Sequence, residues 1–258
     1  MARDTKRTRV ALITGGNRGL GLETGRQLTR RGWRVVLACR DPDKGREAAA
    51  AIGGEARVLD LAKATTATAL AAALEADELA LDVLVDNAAI SLRGFDARVA
   101  EKTIAVNLLG TLAVTGALAP RIRDGGAIVM VSSGLGELSA LREPARGRVA
   151  AAASRSEVER LGYEFVAGVA ERRHEAAGWP SSAYAVSKAL LNAATRVLAR
   201  DLGPRLRVNA VCPGWVRTDL GGPRAPRDVG EGAASIVATV LEERATGGFF
   251  RDGRAIPW

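Results

Sequence analysis

The chain has 258 residues, 47% of them hydrophobic, which allows one large α/β domain or two small ones around a sizeable core. Its formal charge of +8 sits on scattered basic residues, with no interleaved aromatics and no zinc-finger or homeodomain spacing, so the composition points away from nucleic acid. Cys39 and Cys212 each close an apolar run and suggest no disulfide framework, and Met1–Arg9 is polar and basic without a signal-like apolar stretch behind it, so a reducing cytoplasm is expected.

Val10–Ile13 is a short apolar run ending in Thr14, followed by Gly15-Gly16-Asn17-Arg18-Gly19-Leu20-Gly21 and a helical pattern to about Arg31. This reads as strand, tight turn and helix. Glycines stand where backbone must approach a ligand closely, and a helix N-terminus offers free N–H groups to a pyrophosphate. The spacing is G-x3-G-x-G rather than G-x-G-x-x-G, and a glycine-rich loop without a ligand fits this segment too. Arg34–Cys39 is the second expected strand, with Arg40 at its tip and Asp41 next. An acid at such a strand end binds the ribose hydroxyl of NAD, whereas an arginine accommodates the 2′-phosphate of NADP. Arg18 and Arg40 converging on one end of the cofactor favour NADP(H); two solvated arginines are the plainer alternative.

Pro42–Ala51 is an expected helix with proline in its first turn. A short strand, Ala56–Leu59, leads to Asp60 and Leu61, and Ala62–Ala76 is an Ala-rich helix. Leu81–Val85 is a mostly apolar strand, with Asp82 within it, ending in Asp86-Asn87-Ala88-Ala89. Lys102–Arg121 is a long helix with Asn107 in apolar company, either a satisfied core amide or a functional one. Its uncharged run Thr103–Pro120 reads as a buried helix rather than a membrane span, because it carries Asn107, Gly110 and several Thr and Ala. Ala127–Val131 is a strand ending in Ser132-Ser133-Gly134. Strands alternating with helices predict a Rossmann-type doubly wound parallel sheet in a single domain. Ligands bind such a sheet beyond the carboxyl ends of its strands, the address shared by the glycine turn, Asp60, Asn87 and Ser133.

Leu135–Pro180 breaks the rhythm and reads as an insertion within the same domain, with a helix at about Ser156–Ala176. The one histidine, His174, sits there among Glu171, Arg172, Arg173 and Glu175, the company of a solvated helix face. A single histidine excludes a two-histidine metal site, no metal site is expected, and no G-x-S-x-G elbow is present. Tyr184-Ala185-Val186-Ser187-Lys188 then opens a helix to about Leu202. Residues four apart share one helix face, so the tyrosine hydroxyl and the lysine ammonium can face one cleft. A nearby cation lowers a tyrosine pKa and suits it to proton transfer. Arg207–Val211 is an apolar strand before Cys212-Pro213-Gly214-Trp215-Val216-Arg217-Thr218-Asp219. Gly221–Arg227 looks like a mobile loop, Asp228–Arg244 like a final helix, and Phe249-Phe250 like the end of the sheet.

With these motifs in place, the chain resembles the short-chain dehydrogenase/reductases over nearly its full length. T-G-G-N-R-G-L-G at Thr14–Gly21 is similar to their cofactor turn, and D-N-A-A at Asp86–Ala89 to their N-N-A-G, with Asp and Ala as departures. Asn107, Ser133, Tyr184 and Lys188 match their catalytic four. C-P-G-W-V-R-T-D, G-W-P-S-S-A-Y-A-V-S-K and the terminal Trp258 resemble the carbonyl-reductase branch.

The resemblance implies an NADPH-dependent carbonyl reductase acting on a small-molecule carbonyl or, in reverse, an alcohol. It assigns Tyr184 as proton donor, Lys188 to the tyrosine and the nicotinamide ribose, Ser133 to the substrate oxygen, and Asn107 to a water linking Lys188 to solvent. Gly15, Asn17, Arg18, Gly19, Leu20, Gly21 and Arg40 would hold the phosphates. Asp60 and Leu61 would contact the adenine, Asn87 the ribose, and Gly214, Val216 and Thr218 the nicotinamide side. A non-catalytic NADP-binding sensor or scaffold is the alternative, against which the complete set of four argues. The apolar stripe Val158, Leu161, Phe165 and Val169 in the insertion needs a cover, and covering the helices through which relatives dimerise predicts a monomer.

Overall fold

The computed structural model describes residues 7–242 and 245–258. Part of the basic Met1–Arg9 stretch, and 243–244 at the end of the expected Asp228–Arg244 helix, lie outside the described residues. The first half of the chain is β1 (Val10–Thr14), α1 (Gly19–Thr29), β2 (Arg34–Cys39), α2 (Pro42–Ala50), β3 (Glu55–Val58), α3 (Ala64–Ala76) and β4 (Leu81–Asp86). A long helix follows in pieces, α4 (Ala97–Ile104), a π-helical turn at Ala105–Gly110, and α5 (Thr111–Leu118), leading to β5 (Ile122–Val131). The second half is α6 (Ala145–Ala151), α7 (Arg155–Ala170), α8 (Ala183–Leu202), β6 (Arg207–Val211), α9 (Val229–Leu241), β7 (Phe249–Arg251) and β8 (Arg254–Ala255).

The strands form one eight-stranded sheet in the order β3-β2-β1-β4-β5-β6-β7-β8. All neighbours pair in parallel except β7 and β8. All five residues of β1 are buried, as expected of a central parallel strand covered on both faces. Leu12, Val36, Leu84, Ile128 and Val208 belong to one core, and Ile13, Leu37, Val85 and Val129 to another. The doubly wound expectation therefore holds. The strand order reverses between β1 and β4, which opens a crevice at their carboxyl ends.

Several boundaries differ from those expected. The long helix begins at Ala97, where Asp96 caps it by accepting from Val99 N at 2.8 Å. The 25-residue stretch Ala97–Arg121 is apolar enough to span a membrane, yet most of it is buried against protein. Phe249-Phe250 does not end the sheet. The chain turns at Asp252 and Gly253, returns as β8, and stacks Trp258 on Phe249 with ring centroids 5.5 Å apart.

The insertion folds as α6 and α7, and α6 was not anticipated. Ser154 caps α7 by accepting from Glu157 N at 3.2 Å. Val158, Leu161, Phe165 and Val169 are all buried, in one core with Ile104, Leu108, Val186 and Leu190. Gly162 permits the close crossing, since a Cβ there would lie 3.0 Å from Ile104 Cγ2 and 3.1 Å from Leu108 Cδ2. The helix stops at Ala170 rather than Ala176 because the Gly168 carbonyl accepts from Arg173 N and His174 N in the turn that follows. His174 is therefore not on a helix face. It is half-buried, with Nε2 3.0 Å from Ser181 Oγ and its ring against Phe95.

Candidate active site

The carboxyl ends of β1, β4, β5 and β6 border a cleft of about 1090 Å³. At one end the turn after β1 carries Gly15 in a left-handed conformation, φ +65°. A Cβ on Gly21 would stand 2.5 Å from Gly15 O and 2.6 Å from Asn87 Nδ2, so the turn closes only with glycine there. Arg18 precedes α1 in extended conformation, and no side chain caps the first N–H groups of that helix. Uncapped N–H groups above a turn free of side-chain bulk fit a dinucleotide pyrophosphate.

Asn87 holds the ends of β1 and β4 together. Its Nδ2 donates to Thr14 O at 2.9 Å, and its backbone N and that of Ala88 both donate to Thr14 Oγ1 at 3.0 Å. Arg40 is exposed at the end of β2. The neighbouring Asp41 caps α2, accepting at Oδ1 from Asp43 N and Lys44 N, both at 3.1 Å. Those backbone bonds and nearby Lys44 and Arg40 hold its carboxyl below the usual range. The acid nearest the second strand's tip is thus engaged by its own helix.

At the other end Ser133 lies two residues past the end of β5 and begins a tight helical turn, accepting at Oγ from Leu135 N at 3.2 Å. That turn fits against α8 because Gly136 lacks a side chain: a Cβ would meet the Lys188 backbone at 2.6 Å. Tyr184 lies in the first turn of α8, capped by Ser182. Ser133 and Tyr184 both line the cleft. Burial pushes the Tyr184 hydroxyl up to about 12, the neighbouring Ser133 hydroxyl opposing it and Cys212 adding to it. The expected lowering by Lys188 is not the leading effect here. The ammonium lies 5.7 Å from the ring centroid and is itself pulled down to about 8 by burial, with Asp86 and Cys212 opposing. Lys188 Nζ donates to Val131 O at 2.7 Å.

Of the expected site residues, Gly15, Asn17, Arg18, Gly19, Leu20, Asn87, Ser133, Tyr184, Lys188, Gly214, Val216 and Thr218 line the cleft together. Gly21 packs behind the turn. Arg40, Asp60 and Leu61 follow β2 and β3 along the same sheet edge, outside the enclosed part. Asn107 lies beneath, in the π-helical turn. Its Oδ1 accepts from Ile90 N and its Nδ2 donates to Ile90 O, both at 2.8 Å, and Nδ2 also reaches Ser187 Oγ at 3.1 Å. The amide is satisfied by protein, and its side-chain hydrogen bonds go to Ile90 and Ser187 rather than to Lys188. The Gly221–Arg227 segment is tied down rather than loose: Arg217 N donates to Arg227 O at 2.9 Å, and Arg217 Nη1 to Ala225 O and Pro226 O.

Sequence reasoning missed Arg251 as a cleft residue, while Arg227, at the end of the Gly221–Arg227 loop expected to shape the pocket, does line it. No local signal separates Arg251 from the chain's many other arginines; it reaches the cleft through the pairing of β7 with β6. Among the described residues, no cluster of His, Cys, Asp and Glu has the makings of a metal site.

A family model described as short chain dehydrogenase matches residues 9–147, and one described as Enoyl-(Acyl carrier protein) reductase matches residues 166–238. The chain belongs to the short-chain dehydrogenase family. It is 35% identical to carbonyl reductase [NADPH] 1 of Mus musculus over 96% of this chain and 98% of that protein. Salutaridine reductase from Papaver somniferum superposes with a TM-score of 0.88 at 30% identity, covering 95% of this chain and 99% of that one. The carbonyl reductase Sniffer of D. melanogaster superposes with a TM-score of 0.75 at 26% identity, covering 98% and 100%.

Proposed function

We propose that the protein is an NADPH-dependent carbonyl reductase of small aldehydes, ketones or quinones, reversible with the alcohol, in which Tyr184 is the proton donor. The relatives named carbonyl reductase [NADPH], from mouse and from Homo sapiens, are 35% identical across nearly the whole chain and support the reaction class and the cofactor. The observation that carries the site assignment is that Ser133, Tyr184 and Lys188 line the same cleft as the glycine turn.

When bound along the cleft, NADPH would be the source of the hydride for the carbonyl carbon. The chain's own groups handle the oxygen. Ser133 donates to it and stabilises the charge that develops there. Tyr184 gives it a proton, and its high pKa keeps the hydroxyl in the acid form until then. Lys188 spends one of its three donors on Val131 O, leaving two for a ribose or for the tyrosine oxygen. Arg18 and Arg40 take the 2′-phosphate. Arg18 is ion-paired with Asp219 across the cleft, so phosphate binding exchanges one anion for another. A cytoplasmic, monomeric protein of a single domain completes the reading.

The test is NADPH oxidation against a panel of aldehydes, ketones and quinones, with wild type beside Tyr184→Phe. Turnover by wild type alone supports the reading. Tight NADPH binding without turnover of any carbonyl would leave only a cofactor-binding role.

A further inference from the structure

Four arginines line the cleft among the described residues, and three are committed. Arg18 is hydrogen-bonded to Asp219. Arg217 donates to the carbonyls of Ala225 and Pro226. Arg227 grips Asp252 with both ends of its fork, at 3.0 and 2.8 Å. Arg251 differs. Its nearest carboxylate, Glu137 Oε1, is 3.9 Å from Nη2, beyond hydrogen-bond reach. Nη2 donates instead to the weak acceptor Cys212 Sγ at 3.3 Å, and Nε is buried without any partner.

Its position gives the under-used fork a purpose. Arg251 is the last residue of β7, and Phe250 O accepts from Cys212 N at 2.8 Å, which sets the two side chains side by side at the sheet's end. Cys212 Sγ also accepts from Gly134 N at 3.2 Å. A Cβ on Gly134 would lie 2.8 Å from Arg251 Nη2, so the guanidinium rests on the residue that follows Ser133. A fixed positive charge thus stands one residue from the hydroxyl that receives the carbonyl oxygen. The same cleft also has apolar side chains: Leu135 and Trp215 line it and are 59% and 57% exposed.

We infer that the pocket is built for carbonyl compounds that also carry a carboxylate, with Arg251 anchoring the carboxylate while Ser133 and Tyr184 hold the carbonyl oxygen, and an apolar spacer against Leu135 and Trp215. The inference rests on the carbonyl-reductase reading and names its substrate class. A guanidinium matches a carboxylate in shape and charge, and such pairs are short and strong. An arginine in a substrate cleft whose one neighbouring carboxylate, Glu137, stands 3.9 Å away without a hydrogen bond gains more from an anionic substrate than from a neutral one.

The test compares 4-carboxybenzaldehyde, 3-carboxybenzaldehyde and 4-oxopentanoate, each with its methyl ester, by kcat/KM for NADPH oxidation. Wild type should favour the acid over the ester at least about tenfold in one or more pairs, since one charged hydrogen bond is worth that much. Arg251→Met should bring that ratio to about one. Arg251→Lys, which keeps the charge without the fork, should fall between, and it also serves if the methionine variant does not fold. Wild type reducing the esters without preferring any acid would overturn the inference and leave the carbonyl-reductase reading standing. So would an acid-to-ester ratio that neither variant changes. Wild type reducing no probe of either kind would overturn both.

Discussion

Lys188 Nζ donates to the carbonyl oxygen of Val131 at 2.7 Å, tying the active-site helix to the end of β5 one residue before the serine pair. The bond fixes the α8 face that carries Tyr184 relative to Ser133. The two side chains of the proposed reaction are therefore positioned by backbone packing, with Gly136 as the small residue that lets the elements meet.

Tyr184→Phe is expected to lower kcat by at least about 10²–10⁴-fold, the usual contribution of a positioned acid. It removes an oxygen and little volume, so NADPH affinity, read by fluorescence titration, should stay within a few-fold of wild type. A variant turning over within a few-fold of wild type would remove Tyr184 from the proton-donor role.

Cofactor choice is testable at the sheet edge. Arg40 is exposed at the end of β2, and Asp41, the acid beside it, is tied to the α2 N-terminus. Arg40→Asp should shift the kcat/KM ratio of NADPH to NADH toward NADH by about tenfold or more, one charged hydrogen bond being worth about that factor. An unchanged ratio would place the phosphate on Arg18 alone or elsewhere.

What the sequence announced and what it concealed divide along physical lines. Val10–Ile13 of β1 and Val35–Cys39 of β2 are short continuous apolar runs, and β4 and β6 are mostly apolar apart from Asp82 and Asn209 within them; in a parallel sheet covered on both faces such runs are the strand signal itself. The glycine turn was legible because the close approach of Gly21 to Gly15 O leaves no room for a side chain. β8 was not legible, because its two residues form a strand only where Phe249 is there to pair with Ile256 and stack on Trp258. The π-helical turn at Asn107 was hidden too, since the amide acts on Ile90, a partner seventeen positions away that only tertiary folding supplies. Arg251 was invisible as a pocket residue for the same reason: its neighbours Cys212 and Gly134 come from the segments that follow β6 and β5.

The monomer expectation now has a stated interface to test. α7 lays Val158, Leu161 and Phe165 into one core with residues of α4 and α8, which the resemblance identifies as the helices used for pairing in dimeric relatives. Light scattering coupled to size exclusion should give a mass near 26.9 kDa at micromolar concentration. Phe165→Ala should destabilise the fold by about 3–5 kcal/mol, as for a fully buried aromatic. A mass near twice the monomer's would mean that another surface pairs.

Asp86 offers a prediction that depends on pH. The carboxyl is buried at the end of β4, with Oδ1 unpartnered and Oδ2 2.8 Å from Thr115 Oγ1. Thr115 has one hydroxyl hydrogen but two acceptors in reach, Oδ2 and Thr111 O at 2.9 Å. A proton on Oδ2 resolves the conflict: Asp86 donates to Thr115, which donates to Thr111. Burial pushes Asp86 up to about 7, opposed by the hydrogen bond that Thr115 can donate to the ionised carboxylate and by the Lys188 charge. A folded pKa above the unfolded value of about 4 means that the folded state holds the extra proton between them. Asp86 thus contributes stability that is fully present below about pH 4 and is lost as pH rises through about 7. Asp86→Asn keeps a hydrogen-bonding group beside Thr115 and removes the titration. Urea unfolding at pH 5 and pH 7.5 should show wild type losing stability relative to the asparagine variant over that interval. A constant difference between the two proteins would mean that Asp86 is ionised throughout and that Lys188 stabilises it more than burial penalises it.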